Sequence, residues 1–179
     1  MLFRSHNLIT SRAVPEIISE HGGTPVRTRV GHSFIKARMA ETSAVFGGEH
    51  SGHFYFRDFW FADSGMLAAL HVLAALGGQD APLSQLLAGY GRYAASGEIN
   101  SKVSDQEGTL AQVRTEFEGR PGVTIDELDG LTVSHDDWWF NLRPSNTEPL
   151  LRLNAEADGE ETMAAVRDEV LEIVRKGNE

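Results

Sequence analysis

The apolar positions follow two regimes that change near Gly91. Before it, short apolar runs alternate with helix-spaced segments. Leu8-Ile9-Thr10 reads as a short strand, and Ser11 caps a helix from Arg12 to about Glu20 that His21-Gly22-Gly23 stops. Thr24 to Arg29 suits a strand, Ser33 to Glu41 a helix, and Ala44-Val45-Phe46 a strand feeding the Glu49 loop. Phe54-Tyr55-Phe56 looks like a return strand. Asp63 or Ser64 then caps a helix carrying Met66, Leu67, Leu70, Leu73 and Leu76, apolar enough to predict that it is largely buried. Gly77-Gly78 ends it, and a short helix follows from Pro82 to about Ala88. This alternation predicts a parallel or mixed α/β sheet with ligand loops at the carboxyl ends of its strands.

After Gly91 the strands come in succession. The pattern predicts a strand from Tyr93 to Val103, a helix from Asp105 to Glu118 and a turn at Pro121-Gly122. Strands follow near Val123–Ile125, Leu131–His135, Trp138–Leu142 and Leu150–Ala155. A terminal helix starts at Asp158 with Glu161 placed for a capping box, and Met163, Val166, Val170 and Ile173 recur at helical spacing. The aromatics Trp138, Trp139 and Phe140 read as core rather than as a sugar-stacking surface. The predicted organisation is an α/β domain over 1–92 with a mixed sheet, followed by an α+β domain over 93–179.

Composition narrows the function classes. The chain has 179 residues, 41% of them apolar and 23% charged, the balance of a soluble globular protein. It has no cysteine, which excludes disulfides and thiolate metal sites and fits a reducing, cytoplasmic setting. No apolar run approaches a membrane span. A net charge of −10 argues against a nucleic-acid partner, whose phosphates demand a basic face. For a small anionic ligand it is no obstacle, because a few placed arginines dominate locally and the rest is screened within about 10 Å.

Two loops carry the candidate chemistry. Gly48-Glu49-His50-Ser51-Gly52-His53 groups a carboxylate, a hydroxyl and imidazoles between glycines. If the segment stays extended, Glu49, Ser51 and His53 alternate onto one side and can face vicinal sugar hydroxyls together. Arg143-Pro144-Ser145-Asn146-Thr147-Glu148-Pro149 groups a guanidinium, two hydroxyls and an amide between prolines that stiffen its ends, a suitable cradle for a phosphate dianion. His32 stands at a helix start beside Gly31, where an imidazole can meet an anion. Arg27, Arg29 and Arg57 read as solvated or structurally paired.

These two loops, with Pro25-Val26-Arg27-Thr28-Arg29-Val30-Gly31-His32-Ser33 and the stretch from Asn7 to Pro15, resemble the α-D-phosphohexomutases, the phosphomannomutase/phosphoglucomutase family. The resemblance implies a carboxyl-terminal part covering most of the third of that family's domains and all of the fourth. It implies that Glu49, Ser51 and His53 read the sugar, that His53 and His32 stand on the catalytic side, and that Arg143, Ser145, Asn146 and Thr147 hold phosphate. His50 departs from the methionine or glutamine of other branches and resembles the phosphomannomutase spelling.

The family reaction moves phosphate between C1 and C6 of a hexose through a phosphoserine and a bisphosphorylated sugar. Its magnesium is held by an Asp-x-Asp-x-Asp loop. No such spacing occurs here, since Asp136-Asp137 and Asp126…Asp129 do not match. Ser5-His6-Asn7 imitates the family's serine motif, but Arg4 precedes it and Leu8 replaces its proline, so Ser5 is not expected to be the nucleophile. Magnesium and a hexose bisphosphate activator are accordingly expected of a full-length enzyme and of no residue here. The implied partners are a hexose phosphate and amino-terminal domains of the same enzyme. The alternative is a stand-alone module that binds phosphosugars without turnover.

Overall fold

The computed structural model describes residues 2–145 and 147–176. It divides into two compact units, one ending at Arg92 and one beginning at Tyr93. The first holds β1 (Leu2–Asn7), α1 (Ala13–Glu20), β2 (Gly23–Thr28), α2 (His32–Thr42), β3 (Phe46–Gly48), β4 (Phe54–Phe56), β5 (Ala62–Asp63), α3 (Gly65–Gly77) and α4 (Leu83–Ala88). Its sheet runs in the order β2-β1-β3-β4-β5. β1 pairs parallel with β2 and β3, while β3–β4 and β4–β5 are antiparallel, so the sheet is mixed as expected. Parallel neighbours need crossovers, which α1 and α2 supply. The three parallel strands therefore end at one edge, where the loops after β1, β2 and β3 gather.

The inner strand is not where apolarity places it. It spans Leu2–Asn7, and its Ser5, His6 and Asn7 are polar yet buried. Leu8 and Ile9 are buried beyond the strand end. The Leu8 amide still donates to the Thr28 carbonyl at 3.0 Å, and the Thr10 amide then turns back to Asn7 at 3.3 Å. On the helical side, Ile35 and Met39 of α2 pack with Ala44 and Tyr55. Gly47 permits that approach, because a Cβ there would stand 2.5 Å from Met39 Sδ.

Helix α3 corrects a second expectation. Ser64 is its N-cap, accepting the Leu67 amide at 3.2 Å, but none of its residues is buried. Met66 is 73% exposed and Leu73 60%. Its inner residues Leu67, Ala68 and His71 face Phe46, Phe54 and Phe56 across a cavity of about 1010 Å³, and the His71 ring stacks on Phe56 at 5.5 Å. A helix apolar on every side encodes a wish for burial, yet what covers it is decided by other elements. Just before it, Trp60 and Phe61 both take left-handed backbone (φ 53° and 52°), reversing the chain between the 3-10 turn Arg57–Phe59 and β5.

The second unit holds β6 (Ala94–Lys102), α5 (Gln106–Phe117), β7 (Thr124–Asp126), β8 (Leu131–Ser134), β9 (Trp138–Pro144), β10 (Leu150–Ala157) and α6 (Glu160–Lys176). Its separate sheet runs β6-β10-β9-β8-β7 and is antiparallel throughout. Helix α6 begins at Glu160 rather than Asp158, whose amide donates instead to the Asp137 carbonyl at 2.9 Å. Its buried stripe is Met163, Val166, Val170, Leu171 and Val174, with Ile173 only partly buried. Alternation assigns the two faces of the sheet. Val133, Phe140, Leu142, Leu151 and Leu153 pack with Val113, Phe117, Val170 and Val174 in the core. Thr132, Asn141, Arg143, Arg152 and Asn154 occupy register partners on the opposite, polar face. The aromatic run splits accordingly. Phe140 meets Phe117 edge-on at 4.9 Å and Trp138 packs against the same core. Trp139 is buried on the polar face, with its indole N–H donating to Glu156 Oε1 at 2.9 Å.

Candidate functional site

Glu49, which follows β3, is buried at the carboxyl edge of the first sheet. Its Oε1 accepts from the Tyr55 hydroxyl at 2.6 Å, and Oε2 from the Gly31 amide at 3.0 Å and Asn7 Nδ2 at 3.4 Å. One carboxylate thus ties together the end of β1, the loop after β2 and strand β4. A Tyr55 hydroxyl buried first by desolvation and then by its bond to Glu49 is pushed well above the ordinary tyrosine range, so it stays a donor. The Glu49–His53 segment is not extended. The Glu49 amide donates to the His53 carbonyl at 2.9 Å and the Gly52 amide back to Glu49 at 3.0 Å, with Gly52 at φ +81°. In this turn Glu49 points inward while Ser51 and His53 stay exposed, so the three do not share one face. Spacing alone could not distinguish a strand from a glycine turn here.

His53 has a partner that sequence reasoning missed. Its Nδ1 lies 2.6 Å from Asp63 Oδ2, and Asp63 Oδ1 accepts the Phe54 amide at 2.9 Å. The only signal from Asp63 was as a candidate helix cap, a role Ser64 takes. The bond to Asp63 raises the His53 pKa above the ordinary 6.5, and the Phe54 amide first, then His53, holds Asp63 below its ordinary 3.8. The histidine contribution to stability is complete below pH 6.5 and lost as pH rises through the raised folded value. The aspartate contribution is present above pH 3.8 and lost as pH falls through the depressed one. Asp63→Asn should lower the His53 titration midpoint toward 6.5, followed by NMR of the imidazole carbon protons. An unmoved midpoint would show that Asp63 does not set the charge on His53. His32 is the first residue of α2 and is exposed. Arg57 pairs with Asp58 at 2.9 Å, and the Arg29 guanidinium lies 4.6 Å over the Phe34 ring.

In the second unit the loop after β9 is stitched from behind. The Ser145 amide donates to the Leu150 carbonyl at 2.9 Å, and Ser145 Oγ lies 3.4 Å from both the Thr147 hydroxyl and its amide. Gln106 Nε2, at the start of α5, reaches the carbonyls of Leu150 at 2.8 Å, Glu148 at 3.3 Å and Ser145 at 3.5 Å. No sequence signal marks Gln106 for this role. Gly130, at φ +70°, lets the preceding turn press on β9: a Cβ there would stand 2.6 Å from both the Arg143 Cβ and the Leu142 carbonyl. Arg143 is held on the polar face, its Nη2 at 3.5 Å from Glu98 Oε2. Asn146 lies outside the described residues. Among the described residues no group of three His, Cys, Asp or Glu side chains is placed to hold a metal ion.

Comparison with known proteins sharpens this picture. The family model described as phosphoglucomutase/phosphomannomutase, alpha/beta/alpha domain III, matches residues 5–93. The model for the C-terminal domain of the same family matches residues 98–173. A phosphomannomutase of Methanocaldococcus jannaschii is 43% identical over 171 residues, 96% of this chain and 37% of that protein. One from Escherichia coli is 40% identical over 162 residues, 89% of this chain and 35% of the relative. A crystal structure of a phosphoglucomutase/phosphomannomutase family protein from Burkholderia thailandensis superposes with a TM-score of 0.82 at 27% identity, covering 99% of this chain and 38% of that one. The chain therefore spans little more than a third of the length of the relatives it matches.

Proposed function

This chain belongs to the phosphoglucomutase/phosphomannomutase family, and from that premise we propose that it works as the carboxyl-terminal part of a phosphomannomutase-type enzyme. Such an enzyme moves phosphate between the C1 and C6 oxygens of a hexose in the cytoplasm. A phosphoserine outside the matched segment donates its phosphoryl group to a sugar hydroxyl, which loses its proton. The bisphosphorylated sugar then returns its other phosphoryl group to the serine. When bound, magnesium supplies charge neutralisation for that transfer, from residues other than those described here.

This chain's own residues bind and orient. Arg143, Ser145, Asn146 and Thr147 hold the phosphate that is not being transferred. Ser51 and the remaining acceptor capacity of Glu49 read the sugar hydroxyls. His53, with Nδ1 committed to Asp63, keeps Nε2 for the hydroxyl proton, and His32 is the further imidazole of the catalytic side. The observation that carries the reading is the 43% identity to a phosphomannomutase over 96% of the chain, an extent that takes in both loops.

The test is reconstitution. Mixed with a separately expressed amino-terminal part of the Methanocaldococcus jannaschii relative, the chain should restore turnover of mannose 1-phosphate in the presence of magnesium and a hexose bisphosphate. Alone it should show none, because positioning and charge neutralisation supply most of the barrier reduction in phosphoryl transfer. Turnover by the purified chain that survives Ser5→Ala would overturn the reading. Tight binding of mannose 1-phosphate with no restored turnover would favour a stand-alone binding module.

A further inference from the structure

Helices α3 and α4 are attached to the first unit by very little. No residue of either is buried, and the cavity of about 1010 Å³ beneath α3 leaves its inner side short of dispersion contacts. Among the described residues, no hydrogen bond or ion pair of residues 65–91 reaches beyond residues 64–92. The His71 ring, stacked on Phe56 at 5.5 Å, spans the gap.

The far end of the segment is held differently. Tyr90 lies with Val14, Ile17 and Ile18 of α1 around a second cavity of about 370 Å³. Two residues on, Arg92 Nη1 and Nη2 donate to Glu20 Oε1 and Oε2 at 2.6 Å each, and Nη1 also to Glu16 Oε2 at 3.3 Å. A planar fork closed on one carboxylate is the strong form of this contact. Glu16 and Glu20 stand four apart on α1, a like-charge pair that weakens a helix unless a cation offsets it. Arg92 is that cation, and in pairing with them it returns the chain to α1 after α3 and α4.

We propose that residues 65–91 form a flap over the apolar cavity, rooted at Ser64 and clasped shut by Arg92 on Glu20 and Glu16, and that the flap opens when the clasp is released. The root is fixed, since the Ser64 amide donates to the Phe54 carbonyl at 2.8 Å and its side chain caps α3. Opening therefore swings the far end outward and uncovers Phe46, Phe54 and Phe56. The clasp acts as the switch because it is polar and reachable. Arg92 is 32% exposed and Glu20 50%, so added salt screens the pair. The flap does not depend on the phosphosugar reading.

Amide hydrogen exchange on the whole chain, read by peptide mass spectrometry, tests this. Helices of 13 and 6 residues do not persist once detached, so their amides exchange as often as the flap opens. Arg92→Gln and Glu20→Gln should each speed exchange of α3 and α4 together by about three- to fivefold, the effect of a well-formed exposed ion pair, with α2 unchanged. The double variant should be no faster than Arg92→Gln alone, because both substitutions remove one clasp. Raising sodium chloride from about 0.1 M to about 1 M shortens the screening length from about 10 Å to about 3 Å, and should speed the parent while leaving the double variant unmoved. Additive effects of the two substitutions, or faster exchange in α4 with α3 unmoved, would overturn the flap. Equal acceleration in α2 would do the same, by making the contact a general support of the unit, as would unchanged exchange in both helices.

Discussion

Arg143→Ala is expected to weaken sugar-phosphate binding by about 10- to 150-fold, the value of a guanidinium–phosphate pair at roughly 1.5–3 kcal/mol. Arg57→Ala should change it by less than about fivefold, because an exposed arginine contributes well under ~1 kcal/mol of screened attraction. The structure separates the two clearly. Arg57 is spent on its neighbour Asp58, whereas Arg143 stands on a β-strand beside the stitched loop with a buried, unpaired Nε among the described residues. Calorimetry with mannose 1-phosphate makes the comparison, on the chain or on the reconstituted enzyme, after circular dichroism shows both variants folded. Equal losses would reduce Arg143 to part of a diffuse basic surface.

The second large effect is on stability. Glu49→Ala removes the acceptor for Tyr55, Gly31 and Asn7 at once. Stranded buried donors cost about 1–3 kcal/mol each, so a total loss of about 3–5 kcal/mol is expected, a large part of the 5–15 typical of a whole domain. Tyr55→Phe removes one of those bonds and should cost about 1.5–3 kcal/mol. Urea unfolding of the first unit, followed by far-ultraviolet circular dichroism, measures both. If Glu49→Ala costs no more than Tyr55→Phe, the carboxylate is not the tie between the loops, and its role is ligand contact alone.

Much of this was legible in the sequence, and the failures share a cause. Strands β4, β8 and β9 and helices α1, α2 and α5 follow from apolar spacing, Gly stops and caps within a residue or two of their observed ends. Strand β1 did not, because Ser5, His6 and Asn7 are polar and owe their burial to β2 and β3 on either side. Helix α3 failed in the opposite sense, its apolarity being local and its covering not. The Arg143–Pro149 loop, the proposed phosphate site, announced itself through proline and hydroxyl chemistry at fixed spacing. Its supports leave no local mark, since Gln106 acts on Leu150 at a separation of 44 residues and Gly130 acts by its close approach to Arg143 on a neighbouring strand. Asp63 was visible as a residue but not as the partner of His53, since the pairing depends on the β4–β5 register.

The exposed Trp60 has an optical consequence. It is 82% exposed, while the other two tryptophans lie in the second unit, Trp139 buried and Trp138 packed against that unit's core. Indole emission shifts to longer wavelength in water, so the first unit's one tryptophan already emits as it would from an unfolded chain. The blue component of the native spectrum belongs to the second unit. A fluorescence unfolding curve therefore reports the second unit and is blind to the loops tied by Glu49, whose loss would pass for full stability in a single-probe assay.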